Sequence, residues 1–458
     1  MDDKARIAEL EAQNAELLAK VASLEAKAAL LLAELSKRDL PKDSTNSHQP
    51  PSQDKYSKRV RKSLRKKSDR KSGGQKGHKG HHLKMADNPS IEHDLKSNYC
   101  GQCGHDLSSE SHRLISKRQV VEIPPIQPIY IQYNQYGCSC PHCNHEQKAA
   151  YPEGVNSPIQ YGKSIESLVS YLSVFQYLPY KRLKMLLRDV VGLQISEGSI
   201  ANLLTRSSEK MKVVYQAIQS QIESAFYSGS DETGAKVDGE KWWIWVWQNA
   251  LNTFLHISKS RGFQAIEEVF PQGLPNTIVG SDRWPAQLKM VTKHKQLCLA
   301  HLLRDLIWIG QSEKNERAKQ LQELFLEAIQ LKRELLTDKA ISNESRQVEE
   351  LEKKLNQLLA VPLVESQVPE AAKFQKAMIK NRPYLFTFLY HPEVPFDNNG
   401  SERAIRNVKV TQKILGQFRS GQESFCVIRS VIDTLAKRGL DLMDTIQQIM
   451  NRNDYQYT

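Results

Sequence analysis

No stretch of this 458-residue chain is apolar for long enough to cross a bilayer, since a spanning helix needs roughly 20 consecutive apolar residues. The first residues, Met1-Asp2-Asp3-Lys4, carry no apolar core ahead of a small-residue cleavage site, which predicts no secretory signal, no membrane partner and a cytoplasmic protein. Cysteine is scarce, with 7 in the chain, and that excludes a scaffold stapled by many disulfides. Aromatic residues make up 7%, yet hydrophobic residues reach 40%. That is enough to bury globular cores, and the length predicts several modules at about 150 residues each.

Acidic residues are also in deficit: 52 Asp and Glu face 64 Lys and Arg, a net charge of +12. Between Lys55 and Lys84 stand thirteen Lys or Arg and one acid, Asp69, so this stretch alone accounts for the whole excess. Concentrated positive charge binds polyanions by releasing their counterions. Nucleic acid is therefore the expected partner, with Arg59, Arg61, Lys62, Arg65, Lys66 and Lys67 among the contacts. The competing reading is a solvated linker. The tract Gly73-Gly-Gln-Lys-Gly77-His-Lys-Gly80-His-His that follows is too rich in glycine for regular structure, and its backbone can approach phosphates closely.

Upstream, Leu10, Leu17, Leu24 and Leu31 share one heptad position, and Ile7, Asn14, Val21, Ala28 and Leu35 share the position three residues earlier. This is the seam of a coiled coil, and an Asn at an a position sets register in parallel dimers. Five cysteines cluster in residues 100–143. Two Cys-x-x-Cys pairs, Cys100/Cys103 and Cys140/Cys143, have a spacing that fits one tetrahedral zinc ion. Cys138, His142 and His145 leave the fourth ligand open, and buried or redox-active cysteines are the alternative. Val120–Tyr136 reads as strand, as a zinc ribbon needs. From Ser164 to Met211 the pattern is helical, and Gly192–Ser199 reads as a turn and a capped helix resembling a helix-turn-helix. A helical pair used only for packing is the alternative.

Beyond Ala225 the pattern turns to strand. Ala225–Gly234 reads as a strand ending in acids and a turn, Lys241–Trp247 and Thr253–Ile257 as an alternating hairpin, and Asn276–Asp282 as a buried strand. The tryptophans 242, 243, 245 and 247 are expected in the core and on the sheet face before any base-stacking role. Asp231 and Asp282 then belong to two strands, and Glu402 opens a helix after the polar turn Asp397-Asn-Asn-Gly-Ser. This set resembles the site of phosphoryl-transfer nucleases of ribonuclease-H-like fold, which hold two magnesium ions about 4 Å apart with hard carboxylate oxygens. Arg403, Arg406, Lys409 and Lys413 follow Glu402 at spacings suited to holding a DNA backbone. Cys298 and His301, at i, i+3, can hold a metal or pack and hydrogen-bond beside Asp282. The 119 residues between Asp282 and Glu402 read as a helical insertion.

Several motifs together carry a family resemblance. Asp231-Glu-Thr-Gly, Cys298-x-Ala-His301-Leu-x-Arg304-Asp305, Asp397-Asn-Asn-x-x-Glu402-Arg-x-x-Arg406, Gly73-Gly-Gln-x-Gly77-His-Lys-Gly80-His, the paired Cys-x-x-Cys and Tyr177-Leu-Pro-Tyr180 resemble the bacterial insertion-sequence sixty-six transposases over nearly the whole chain. Lys76 stands where proline is usual in that family, Leu299 where tryptophan is usual, and Gly400-Ser401 where alanine-like residues are common. The resemblance implies a DDE-type enzyme in which Asp231, Asp282 and Glu402 are catalytic and bind two magnesium (or manganese) ions, with one structural zinc ion elsewhere. Its partners would be double-stranded DNA, as terminal inverted repeats and target, accessory proteins of the same element, and a second copy through the zipper, giving a homodimer or higher. It would lie in the bacterial cytoplasm, at the nucleoid when bound to DNA.

The expected architecture is multidomain α/β. It comprises a coiled coil (1–40), a basic linker (41–90), a zinc-binding DNA-binding module (91–155), a helix-turn-helix-like region (156–222), a ribonuclease-H-like core (223–425) with a helical insertion at about 285–395, and a C-terminal helical tail (426–458). The rival function is a non-catalytic zinc-containing DNA-binding regulator or an accessory transposition protein.

Overall fold

Contacts divide the chain into two compact units, residues 61–128 and residues 1–60 with 129–458. The computed structural model describes residues 3–39, 43, 46–47, 73, 77–80, 83–337 and 344–451. Arg59, Arg61, Lys62, Arg65, Lys66 and Lys67 lie outside the described residues, as do positions 74–76 and 81–82 of the glycine tract.

Within 61–128 the described backbone is held by turns. Gln119 closes one loop with two bonds to Ala86: its Oε1 accepts the Ala86 N–H at 2.7 Å and its Nε2 donates to the Ala86 carbonyl at 2.8 Å. The strand expected over Val120–Tyr136 is not formed. Pro124, Pro125 and Pro128 interrupt it, each removing a ladder donor and fixing φ. The first described strands of the chain belong to the other unit: β1 (Gly137–Ser139) and β2 (Glu146–Lys148), paired antiparallel with Cys138 opposite Gln147.

The other unit opens with helix α1 (Asp3–Asp39). The seam residues Ile7, Leu10, Leu17, Val21, Leu24 and Leu31 are exposed, whereas the side chain of Leu35 lies outside those described. Then come α2 (Lys163–Ser170), α3 (Tyr180–Leu186) and α4 (Glu197–Glu223). Ser196 caps α4 as its sequence predicts, accepting the Ser199 N–H at 2.9 Å. The apolar stripe of α4, including Ile200, Leu203, Leu204 and Met211, is buried. This 27-residue helix is therefore a core element along one face.

The sheet has the order β5-β4-β3-β6-β7, from β3 (Tyr227–Val237), β4 (Glu240–Gln248), β5 (Thr253–Ser258), β6 (Leu274–Ser281) and β7 (Thr292–Leu297). The first three are antiparallel and β6 and β7 join parallel. The tryptophan run is divided: Trp245 and Trp247 are fully buried, while Trp242 and Trp243 are half-buried at the end of β4. Short α5 (Gln264–Glu267) and α6 (Pro285–Lys289) lie between strands. They are followed by α7 (Leu299–Glu313), α8 (Glu316–Thr337), α9 (Glu344–Ala360), α10 (Pro369–Lys380) and α11 (Thr387–Tyr390). The insertion builds its own core, with Leu306, Phe325, Leu355 and Phe386 buried.

After α12 (Asn399–Leu415) come α13 (Gln422–Lys437) and α14 (Leu442–Asn451). The boundary drawn at 425/426 falls inside α13, and this helix is no tail. Its Ser430 and Thr434 hydroxyls accept the N–H groups of Leu255 and Thr253 at 2.8 and 3.0 Å, covering an edge strand that would otherwise expose unpaired donors. Among the described residues no helix is long and apolar enough to cross a membrane.

One contact decides where α12 sits. A Cβ at Gly229 would stand 2.6 Å from Ser401 Oγ and 2.8 Å from Gln248 Nε2, and one at Gly400 would collide with the same Gln248 amide. The absence of side chains at both positions leaves room for the Ser401 and Gln248 side chains between helix and sheet. Gly229→Ala is expected to cost about 1–3 kcal/mol, the usual range for overpacking. Gly310→Ala, in α7 with open space around it, should gain roughly 0.5–1 kcal/mol from helix propensity. Urea unfolding of both variants checks this, and equal effects would refute the docking constraint.

Candidate active site

Parallel pairing of β3 with β6 sets the two aspartates side by side. The register ends at Gly229 opposite Gly280, and Asp231 and Asp282 each lie two residues further on. Asp282 directly follows β6, as expected, but Asp231 is not at a strand end: β3 continues to Val237, paired with β4 throughout. Gly234, which reads as a turn, instead sits inside the strand opposite Trp243, whose ring lies 3.8 Å from where its Cβ would be.

Glu402 arrives on the first turn of α12. Asn398, just before the helix, ties that end to the sheet: its Nδ2 donates to the Ser230 carbonyl at 2.8 Å, and its carbonyl accepts the Glu402 N–H at 3.1 Å. Its own N–H donates to Cys298 Sγ at 3.2 Å. The acids are close enough that burial, then Asp282, Glu232 and Glu402, hold the Asp231 carboxyl well above its ordinary range, opposed by the Glu232 N–H it accepts at 2.8 Å. Helix α7 adds His301 and Arg304. His301 Nδ1 lies 3.0 Å from Asp282 Oδ1 and its Nε2 lies 3.8 Å from Glu402 Oε1, while Arg304 Nη2 stands 3.8 Å from the same Glu402 oxygen.

These donors fit hard divalent cations. Three carboxylates from three elements lie near one another, that of Asp231 raised by burial and then by its acidic neighbours, and buried Asp282 Oδ1 accepts no aligned hydrogen bond. Among the described residues, the one group of His, Cys, Asp or Glu side chains whose ligand atoms all lie within 4.8 Å of one another is Asp282, Cys298 and His301, which does not include Asp231 or Glu402. Burial pushes the Cys298 thiol far up, and its Sγ accepts the Asn398 N–H and lies 3.2 Å from His301 Nδ1.

Arg403, Arg406, Lys409 and Lys413 are all exposed on α12, and no described carboxylate lies within 4.0 Å of any of them. Glu402, Arg406, Lys409 and Lys413 follow at i, i+4, i+7 and i+11, one stripe along the helix. The cysteine pairs form two matching turns, each within its own unit. The Cys100 N–H donates to the His105 carbonyl at 2.8 Å, and Gly104 N–H donates to the Cys100 carbonyl at 2.9 Å. Cys140 repeats this with His145 and Asn144 at 2.9 and 2.8 Å. Gly104 and Asn144 both take positive φ, 73° and 55°. In each turn backbone N–H groups, those of Cys103 and Gln102 or of His142 and Cys143, lower the first thiol, as a metal-binding thiolate requires. The repeat Cys-x-x-Cys-Gly/Asn-His was visible in the sequence. Cys138 lies outside both turns, in β1. The residues that sequence reasoning missed are Asn398, although its motif was noticed, and the Glu232–Arg261 pair, in which Arg261 Nη2 stands 2.9 Å from Glu232 Oε1. Arg261 lies in a loop with no motif to mark it.

The raised Asp231 sets a pH dependence. The folded state binds this proton more tightly than the unfolded state, so the associated stability is fully present below the unfolded value of about 3.9 and is lost as pH rises through the higher folded value. Near neutral pH and without added divalent metal, Asp231→Asn is expected to raise the melting temperature. It should also remove most of the stabilisation that excess Mn2+ gives the wild type, about 2.7 kcal/mol at one hundred times Kd. Thermal unfolding with and without Mn2+ measures both, and a destabilised variant that keeps the Mn2+ shift would contradict the acid cluster.

Among curated proteins none matches the chain. A family of unknown function matches residues 2–84, and the family described as Transposase IS66 family matches residues 158–424, which includes β3, β6, α7 and α12 with all three acids. With more than half of its length matched, this chain belongs to the Transposase IS66 family.

Proposed function

We propose that this transposase-family protein is a DDE-type enzyme that binds the terminal inverted repeats of a bacterial insertion sequence, cuts the DNA strand at each end and joins it to target DNA. The observation that carries the reading is the meeting of Asp231, Asp282 and Glu402 through the Gly229/Gly280 register and the docked α12. Two magnesium (or manganese) ions at such a site activate the attacking oxygen and stabilise the leaving one. Asp231 and Asp282 would hold the ions from the sheet and Glu402 from the helix. His301 and Arg304 orient Asp282 and Glu402 from α7, and the stripe Arg406–Lys409–Lys413, with Arg403 beside it, lays a DNA backbone along α12 toward the acids. Water frees a 3′ hydroxyl, which then attacks target DNA at the same carboxylates.

The remaining modules supply binding and pairing. Cys100, Cys103, Cys140 and Cys143 would hold one structural zinc ion, whose binding free energy replaces the apolar core that this segment lacks. The basic run, with Arg59, Arg61, Lys62, Arg65, Lys66 and Lys67, provides sequence-independent affinity for duplex DNA. The exposed seam of α1 pairs two subunits, so that both ends of the element are held together. Accessory proteins of the same element are further partners.

Asp231→Asn, Asp282→Asn and Glu402→Gln should each lower cleavage of a labelled terminal repeat by more than about 100-fold, beyond the 10–100-fold typical of losing an outer partner of a ligand, and leave binding to that DNA largely intact. Binding without nicking by the wild type, with Mg2+ and partner proteins supplied, would favour the non-catalytic regulator instead. Lys409→Ala should weaken DNA binding for all sequences and reduce the salt slope by about 0.9, read from titrations at several salt concentrations. Metal analysis of the purified protein should find one zinc per chain, absent after Cys140→Ser.

A further inference from the structure

The loop between β5 and α5 carries one arginine, Arg261, that pairs with a buried acid and lies against two indole rings. The Arg261 guanidinium lies 3.6 Å from the ring centre of Trp284 and 4.6 Å from that of Trp243. Its Nε and Nη2 donate to Glu232 Oε1 at 3.1 and 2.9 Å, and its carbonyl accepts the Trp284 Nε1–H at 3.0 Å. Gln287 Nε2 reaches the other Glu232 oxygen at 3.2 Å and Ser230 Oγ at 3.4 Å. The loop is itself fixed, since the Ser260 carbonyl accepts the Trp245 Nε1–H at 3.2 Å and Ser258 Oγ accepts the Ser260 N–H at 3.1 Å.

The partners are the telling part. Glu232 is the residue after Asp231, and Trp284 is the second residue after Asp282. One side chain thus braces residues close to both aspartates, Glu232 on β3 and Trp284 in the segment after β6, beyond the point at which β3 and β6 cease to pair. The Glu232 side chain is only 6% exposed, and burying a fourth acid beside the other three is unfavourable unless a cation compensates it. Paired to Arg261 and Gln287, Glu232 points its oxygens away from the metal ligands' task and acts as an anchor. Lysine has neither a planar face to lie between two indoles nor two donors in fixed geometry for one oxygen.

We propose that Arg261 is a positioning residue: through Glu232 and Trp284 it sets the separation of Asp231 and Asp282, and so the grip of the site on divalent metal. The proposal rests on the reading that these aspartates are metal ligands. The test is Mn2+ binding to the full-length protein, followed by the paramagnetic resonance of unbound Mn2+, with Asp282→Asn defining the signal of the acid site. Arg261→Lys is expected to weaken that binding 10–100-fold, the range seen when a ligand's outer partner is lost, with unchanged secondary structure and melting temperature near the wild-type value. Terminal-repeat cleavage should then need correspondingly more Mn2+ for half its maximum rate and recover toward the wild-type rate at saturation. Arg261→Lys binding Mn2+ as the wild type does overturns the proposal, and so does a loss of Mn2+ affinity that merely tracks loss of folded protein. If Asp282→Asn binds Mn2+ unchanged, the reading of the aspartates as ligands has failed, an outcome separate from the Arg261→Lys result.

Discussion

Where a methyl group would stand at Gly229, the Ser401 hydroxyl and the Gln248 amide stand instead, and much of the site depends on that close approach. It lets the first turn of α12 lie directly on β3, so that Glu402 is delivered from a helix to a point two residues along the strand from the contact. Asn398 then secures the joint with bonds to strand and helix alike. A larger residue at either glycine would press on the Ser401 and Gln248 side chains beside Glu402.

Crowding acids in this way is unfavourable in itself. Asp231 is held well above its ordinary range by burial and by neighbouring carboxylates, and the surroundings answer with nitrogen-bearing side chains placed on separate elements. His301 and Arg304 come from α7, and Arg261 from the loop after β5. None of them removes the repulsion at the centre, which leaves the site poised for metal. The same logic, stability given up locally and supplied by a ligand, holds for the two cysteine turns, whose N–H groups favour thiolate while the surrounding chain buries little.

The sequence by itself determined most element types and singled out candidate residues for the site. Alternation revealed β4 and β5, the Ser196 cap located the start of α4, and the cysteine pairs and heptad leucines were legible because their spacing is local, whereas the three acids, far apart in the chain, were marked only by the short motifs around them. Two readings failed locally as well. The prolines of Val120–Tyr136 outweighed its β-branched residues, and Gly234 was taken for a turn because a glycine inside a strand is recognisable only once Trp243 is known to lie across from it.

Tertiary structure alone decided what touches what. That α13 caps an edge strand instead of trailing as a tail, that Trp243 splits from Trp245 to face Arg261, and that Glu232 pairs away from the metal ligands all depend on contacts between segments remote in sequence. Periodicity reports which face of an element is apolar, because that is a property of neighbours along the chain. It carries no record of which strand lies alongside which, and the pairing of Gly229 with Gly280, on which the two aspartates depend, is information of that second kind.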